Sequence, residues 1–244
     1  MVEVITLPLE FKFENIQLTI NPVIIKYQKE MVLVDCGYPG FKSKIAEAMS
    51  KKSLNINDLS KIIITHHDHD HMGALNEIVN TCPNIEVLAS IEQAPYLLGD
   101  KKSLRLKEAI INQEKLSGDE LKEHQKFIEM IKSVKTINKV TKVKDGDNLL
   151  ICKGLKIIDT SGHMPGHISI YVPEAKTLIA GDALAVKEGK LTLDKQFVMN
   201  LDQAVESVRK LLDYEIDKII CYHGGEYTKN IRESLIRIAQ GEYY

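Results

Sequence analysis

Lys-Ile-Ile-Ile-Thr-His-His-Asp-His-Asp-His-Met-Gly, residues 61–73, is an apolar β-branched run that opens directly into a burst of imidazoles and carboxylates. The run at 61–65 is short and uninterrupted, as a strand buried on both faces would be. Four of the eight histidines of the chain then fall within six residues, at His66, His67, His69 and His71. Such a stretch cannot pack as apolar core, and helical spacing resumes over residues 72–80. Imidazole and carboxylate are the donors that suit a borderline divalent cation such as zinc.

The same arrangement of strand, donor and glycine-rich turn recurs downstream. His163 lies in Thr160-Ser161-Gly162-His163-Met164-Pro165-Gly166-His167, after a run ending at Asp159. Asp182 follows Leu178-Ile179-Ala180-Gly181, and His223 follows Ile219-Ile220-Cys221-Tyr222 and precedes Gly224-Gly225. Side by side in a sheet, these strand ends would converge on one edge, where α/β proteins commonly bind ligands.

Around these motifs the pattern is layered α/β. Strands are expected at 16–27 and 31–35 with a turn at Lys29-Glu30, and at 85–89, 148–152, 155–159, 168–172, 177–180 and 218–221. Helices are expected at 41–52, 201–212 and 229–239. Residues 91–135 differ: they carry long helical patterns broken at Ser117-Gly118, with a net charge of +3 over 101–135. This segment reads as a helical insertion on the core, either a solvated helical pair or a lid that shapes a substrate pocket.

The 244 residues suit a single domain spanning 1–244, with the insertion at about 91–135. A formal charge of −2 argues against a chain built to coat nucleic acid. Cys36, Cys82, Cys152 and Cys221 form no CxxC pair, as expected of reduced thiols in the cytoplasm. Pro8 and the acidic Glu3 and Glu10 interrupt the start, so no signal peptide is expected. No 18-residue apolar run is present, so no membrane span is expected either. The expected partner is a small-molecule substrate, and the oligomeric state stays open.

Taken together, Thr65-His66-x-Asp68-x-Asp70-His71, Gly162-His163-x-Pro165-Gly166-His167, Gly181-Asp182 and His223-Gly224-Gly225 resemble the metallo-β-lactamase superfamily. Asp35-Cys36-Gly37 matches an early turn of that family, so the resemblance runs through nearly the whole chain. It implies a four-layer αββα sandwich with the site at one edge of the sheets. It also implies two divalent metal ions, zinc first, with manganese or iron as the other candidates. One ion would take His66, Asp68 and His163, the second Asp70, His71 and His223, with Asp182 between them. The family chemistry would be attack by a metal-bridging hydroxide on an ester, lactone or thioester, with Asp70 steering the proton. An iron-dependent oxidoreductase and a metal-binding regulatory module without turnover are the two alternatives. Glyoxalase II-type thioesterases resemble the core but carry a C-terminal substrate domain, for which the 21 residues after His223 are too few.

Asp68 departs from the family pattern His-x-His-x-Asp-His, because it stands where the second histidine usually is. Counted from sequence, three carboxylates and a hydroxide would cancel two dications, where a histidine would leave +1. That count predicts a less acidic bound water and a better fit for harder metals. His167 and Asp35 are expected just behind the donors, as orienting or substrate-contacting groups. His67 and His69 alternate with donors and should point elsewhere, and His124 is expected to be exposed. Tyr38, Tyr222 and Tyr227 flank motif turns, and the sequence assigns none of them a role.

Overall fold

The protein is described by a computed structural model covering residues 1–13 and 16–243. The first half builds β1 (Glu3–Thr6), the hairpin β2 (Leu9–Phe13) and β3 (Ile16–Ile20), then β4 (Val23–Tyr27) and β5 (Glu30–Val34). It continues with α1 (Lys42–Lys51), β6 (Lys61–Ile63), α2 (Leu75–Thr81) and β7 (Glu86–Ser90). Three helices follow, α3 (Ala94–Leu97), α4 (Leu104–Gln113) and α5 (Gly118–Lys132), before β8 (Thr141–Val143). The second half runs β9 (Asn148–Leu149), β10 (Leu155–Asp159), β11 (Ile168–Val172), β12 (Thr177–Gly181) and the hairpin β13 (Ala185–Lys187) and β14 (Lys190–Thr192). It ends with α6 (Leu201–Leu211), β15 (Lys218–Cys221), β16 (Gly225–Tyr227) and α7 (Ile231–Ala239).

Two six-stranded sheets result, ordered β1-β4-β5-β6-β7-β8 and β16-β15-β12-β11-β10-β9. Strand alternation sorts the apolar side chains into layers. Ile24, Leu33, Ile62 and Ile64 join Ile45 and Met49 of α1 and Leu75 and Ile78 of α2. Their neighbours Val23, Ile25, Val32, Val34 and Ile63 face inward, against Ile157, Ile170, Ile179 and Ile220 of the second sheet. Ile158, Leu178, Ala180 and Ile219 face the other way, onto Val208 and Leu211 of α6 and Leu235 and Ile238 of α7. The outcome is helix, sheet, sheet, helix, the αββα sandwich implied by the resemblance. Strands β5 to β8 run parallel, as do β12 and β15. The carboxyl ends of β5, β6, β12 and β15 carry Asp35, the His66–His71 segment, Asp182 and His223.

Several element boundaries differ from expectation. The strand expected over 16–27 is two strands, because Pro22 has no N–H for a ladder and its carbonyl accepts from the Leu7 amide at 2.8 Å. Asn21 turns aside to hydrogen-bond the Tyr222 carbonyl, and Ile20 bridges to His223. The turn after β4 falls at Gln28-Lys29, with Gln28 at φ 54°. The strand at 148–152 stops after Leu149, since Cys152 and Lys153 take left-handed φ of 47° and 64°. Helix α2 begins at Leu75 rather than 72, because the donor segment closes in a turn that reaches Met72. The inserted region holds three helices, with α5 starting at Gly118, where the break was expected. Among them α4 and α5 share a small apolar cluster of their own, built on Ala109, Ile128 and Ile131. No helix among the described residues is long and apolar enough to cross a membrane.

Candidate metal centre

The seven donor side chains singled out in the sequence come together at the strand ends. Amides of His71 and Met72 both donate to the Asp68 carbonyl, which curls the segment so that His66, Asp68, Asp70 and His71 face one space. Three donor sets have ligand-type atoms within 4.8 Å of one another: His66, Asp68 and His163; His66, His71 and Asp182; Asp70, His71 and His223. Asp182 is central, with Oδ1 3.4 Å from His71 Nε2 and Oδ2 3.5 Å from His223 Nε2 and 3.7 Å from His163 Nε2. Asp70 Oδ2 lies 3.3 Å from His223 Nε2 and 3.8 Å from His71 Nε2. Asp68 Oδ2 lies 3.6 and 3.5 Å from the Nε2 atoms of His66 and His163.

The residues behind these donors fix their tautomers. Asp35, 1% exposed, accepts the Thr65 amide on Oδ1 and Thr65 Oγ1 on Oδ2. The same Oδ2 lies 2.9 Å from His71 Nδ1, so Nδ1 keeps its proton and Nε2 is the nitrogen that would give one up to meet a cation. His167 Nε2 accepts the Asp182 amide at 3.1 Å, which leaves Nδ1–H to donate to Thr160 Oγ1 at 2.9 Å. Thr160 passes its hydroxyl to Ser169, and Ser169 donates to the Ala180 carbonyl. Gly181 makes this close approach possible: at φ +54°, a Cβ there would lie 2.7 Å from His167 Nε2. Tyr222 donates to the Asp70 carbonyl and accepts from the Gly37 amide, so its hydroxyl is committed inside the fold. Tyr227 reaches Ser234 instead, away from the cluster.

The electrostatics of the cluster call for positive charge. Burial opposes charge on His71, yet Asp182, Asp35 and Asp70 outweigh it and hold its pKa well above the ordinary histidine value. Burial likewise opposes charge on His223, but Asp182 and Asp70 raise it to about 10. His66 goes the other way, down to about 3, through burial reinforced by His71. Meanwhile His66 Nε2, His71 Nε2, His163 Nε2 and one oxygen each of Asp68 and Asp182 are buried without a hydrogen-bond partner. Buried polar atoms are rarely left so. Several orphaned lone pairs directed at one space, among carboxylates, are what divalent cations would satisfy.

A residue with no place in the sequence reading completes the picture. Arg105, the second residue of α4 and 7% exposed, donates from Nε at 3.1 Å and from a terminal nitrogen at 2.9 Å, both to Asp68 Oδ2. The neutral sum counted from sequence omitted this guanidinium, which sets one further positive charge against Asp68. The signal available was compositional: Arg105 is the only arginine before Arg209, in a chain that otherwise uses lysine there. His67 was expected to point away and does: its amide and Nδ1 both meet Gln93 Oε1, and its ring stacks on Tyr96. Its Nε2 accepts the Leu104 amide at the start of α4. Gln93 also donates to the Pro165 carbonyl, joining the two donor loops, and sequence reasoning missed it too. His69 packs edge-on against Tyr38 and Phe127. His124 is half-buried rather than exposed, with Nε2 2.7 Å from the Ala109 carbonyl.

Above the donors lies a cavity of about 350 Å³ whose walls include Leu18, Tyr38, Phe127, Leu184 and Phe197 and whose floor carries Asp68, Asp70, Asp182 and His223. Arg105 and Phe127 bring the inserted helices into that wall, so the insertion shapes the pocket rather than merely resting on the surface.

Known proteins agree with this architecture. The chain is 27% identical over 221 residues to the probable metallo-hydrolase YflN of Bacillus subtilis (strain 168), covering 85% of this chain and 81% of that one. It is 27% identical over 199 residues to a hydroxyacylglutathione hydrolase of Hamiltonella defensa, spanning 81% of this chain but 58% of the enzyme. In structure it matches the metallo-beta-lactamase family protein TTHA1429 of Thermus thermophilus with a TM-score of 0.74 at 18% identity, over 98% of this chain and 78% of that one. The sequence profile of the metallo-beta-lactamase superfamily matches residues 16–223, which span every donor described above. The chain belongs to the metallo-β-lactamase superfamily.

Proposed function

We propose that the protein is a dinuclear metal-dependent hydrolase acting on small, largely apolar esters, lactones or thioesters. The observation that carries this reading is the set of orphaned buried donor atoms around Asp182, at the floor of an apolar-walled cavity. His66, Asp68 and His163 would hold one ion and Asp70, His71 and His223 the other, with Asp182 between them. Bound there, a pair of divalent ions, zinc in our reading, supplies a nucleophile at neutral pH and polarises the scissile carbonyl.

The chain does the rest. Asp35 keeps the proton of His71 on Nδ1, and His167 holds the Asp182 backbone so that its carboxylate stays aimed at three imidazoles. Asp70, whose carboxylate also faces the cavity, is the group placed to take up the nucleophile's proton. Tyr38, Phe127, Phe197 and Leu184 pack the acyl part and exclude water. Among the described residues lining the cavity Arg105 is the only lysine or arginine, and it is already paired with Asp68 and Glu108. A substrate rich in carboxylates, such as a glutathione thioester, would therefore find no free cation there. Four unpaired thiols favour a reducing compartment, so we assign the reaction to the cytoplasm.

The test is elemental analysis of protein purified without chelator or added metal, followed by assays on ester, lactone and thioester panels. Two zinc ions per chain, with turnover abolished by chelation and restored by zinc, is the expected result. Iron in their place, with oxygen consumption and no hydrolysis, would overturn it.

A further inference from the structure

We propose that Asp68 and Arg105 form one charge-neutral unit that replaces an imidazole in the donor set, so that the helical insertion sets the metal affinity of the site. This rests on the metal-dependent reading given above. A carboxylate in place of a neutral imidazole would add one negative charge at a buried position. Arg105 offsets that charge on the same oxygen that faces His66 and His163, since both of its bonds to that carboxylate end on Oδ2. The carboxylate keeps its other oxygen, Oδ1, buried without a hydrogen-bond partner, so it can meet a guanidinium through one oxygen and a cation through the rest of its lone pairs.

The pairing is built rather than incidental. His67 Nε2 accepts the Leu104 amide at 3.1 Å, and Ser103 Oγ caps the same helix end through the Leu106 amide. Arg105 follows Leu104 as Asp68 follows His67, so a single anchor sets the two side chains opposite each other. On its far side the guanidinium meets Glu108 Oε2 at 2.8 Å and the Phe197 carbonyl at 3.4 Å. It is therefore held on three sides and directed at the carboxylate.

A double-mutant cycle tests this, with zinc and cobalt affinities measured by chelator competition and metal content by elemental analysis. The proteins are the native chain, Asp68→His, Arg105→Met and the double variant. Asp68→His alone strands a buried guanidinium beside the cation and should weaken binding by about 10- to 100-fold. In the Arg105→Met background the same substitution should weaken it by less than about threefold. Arg105→Gln, which keeps a hydrogen bond without the charge, should behave as Arg105→Met does. Thermal unfolding of each metal-free variant verifies that it is folded. An equal loss on Asp68→His in the native and Arg105→Met backgrounds would overturn the unit and reduce Arg105 to a packing role. Failure of the native chain to take up any metal would overturn the hydrolase reading itself, and with it this inference.

Discussion

The two triads that share Asp182 are built to opposite plans. His66, Asp68 and His163 are closed in, with side chains 0%, 6% and 4% exposed, and the insertion seals them with Arg105. In the Asp70, His71 and His223 set the last ring is 43% exposed and opens into the apolar cavity. Asp68 and His163 meet the cavity only at its floor, whereas the second triad ends in a half-open ring. A metal site at a sheet edge can thus divide its labour: the buried side fixes geometry while the open side exchanges ligand.

Replacing one histidine from each side should separate the two plans most visibly. His163→Ala and His223→Ala should both reduce turnover to near background, since each leaves one triad short. They should differ in stability: truncating the buried His163 ring should cost the metal-free fold about 2–5 kcal/mol at neutral and high pH alike, whereas the cost at His223, whose charge faces Asp70 and Asp182, should fade as pH rises through about 10. Urea unfolding of chelated protein reads this, and equal losses would mean that the two sides are built alike. A smaller effect is expected at Asp35→Asn, which weakens the hold on His71 Nδ1. Zinc affinity should fall by about 10- to 100-fold, confined to one of the two equivalents. Loss of both together would place Asp35 behind the whole cluster.

The smallest effect is in protons. Where carboxylates are balanced by protons alone, His71 and His223 are charged at neutral pH, the latter with a pKa of about 10. A cation needs both rings neutral, so zinc uptake should release about two protons, and apparent affinity should rise with pH below that value. His66, at about 3, should release none. Calorimetric titration in two buffers of different ionisation enthalpy counts the protons, and no dependence on buffer would contradict the assignment.

The layered fold and the donor constellation were legible because each donor terminates an apolar strand, and a strand end is written locally in sequence. The alternation of Ile62, Ile63 and Ile64 between two clusters is equally local. Arg105 was not legible, because its partner lies 37 residues away and nothing in a charged helical segment says which face turns inward. The split at Asn21-Pro22 was missed for a related reason: β-branched residues on both sides hid a break at which Asn21 hydrogen-bonds Tyr222, 201 residues later. Such long-range pairings decide boundaries that propensity leaves undetermined.

The donors also divide between the halves of the chain, His66 to His71 from the first sheet and His163, Asp182 and His223 from the second. Ions bound among them would rivet the two sheets together much as disulfides do in secreted domains, in a chain whose four cysteines are all unbridged. Resistance to heat and proteolysis would then be governed by the supply of cations rather than by redox conditions.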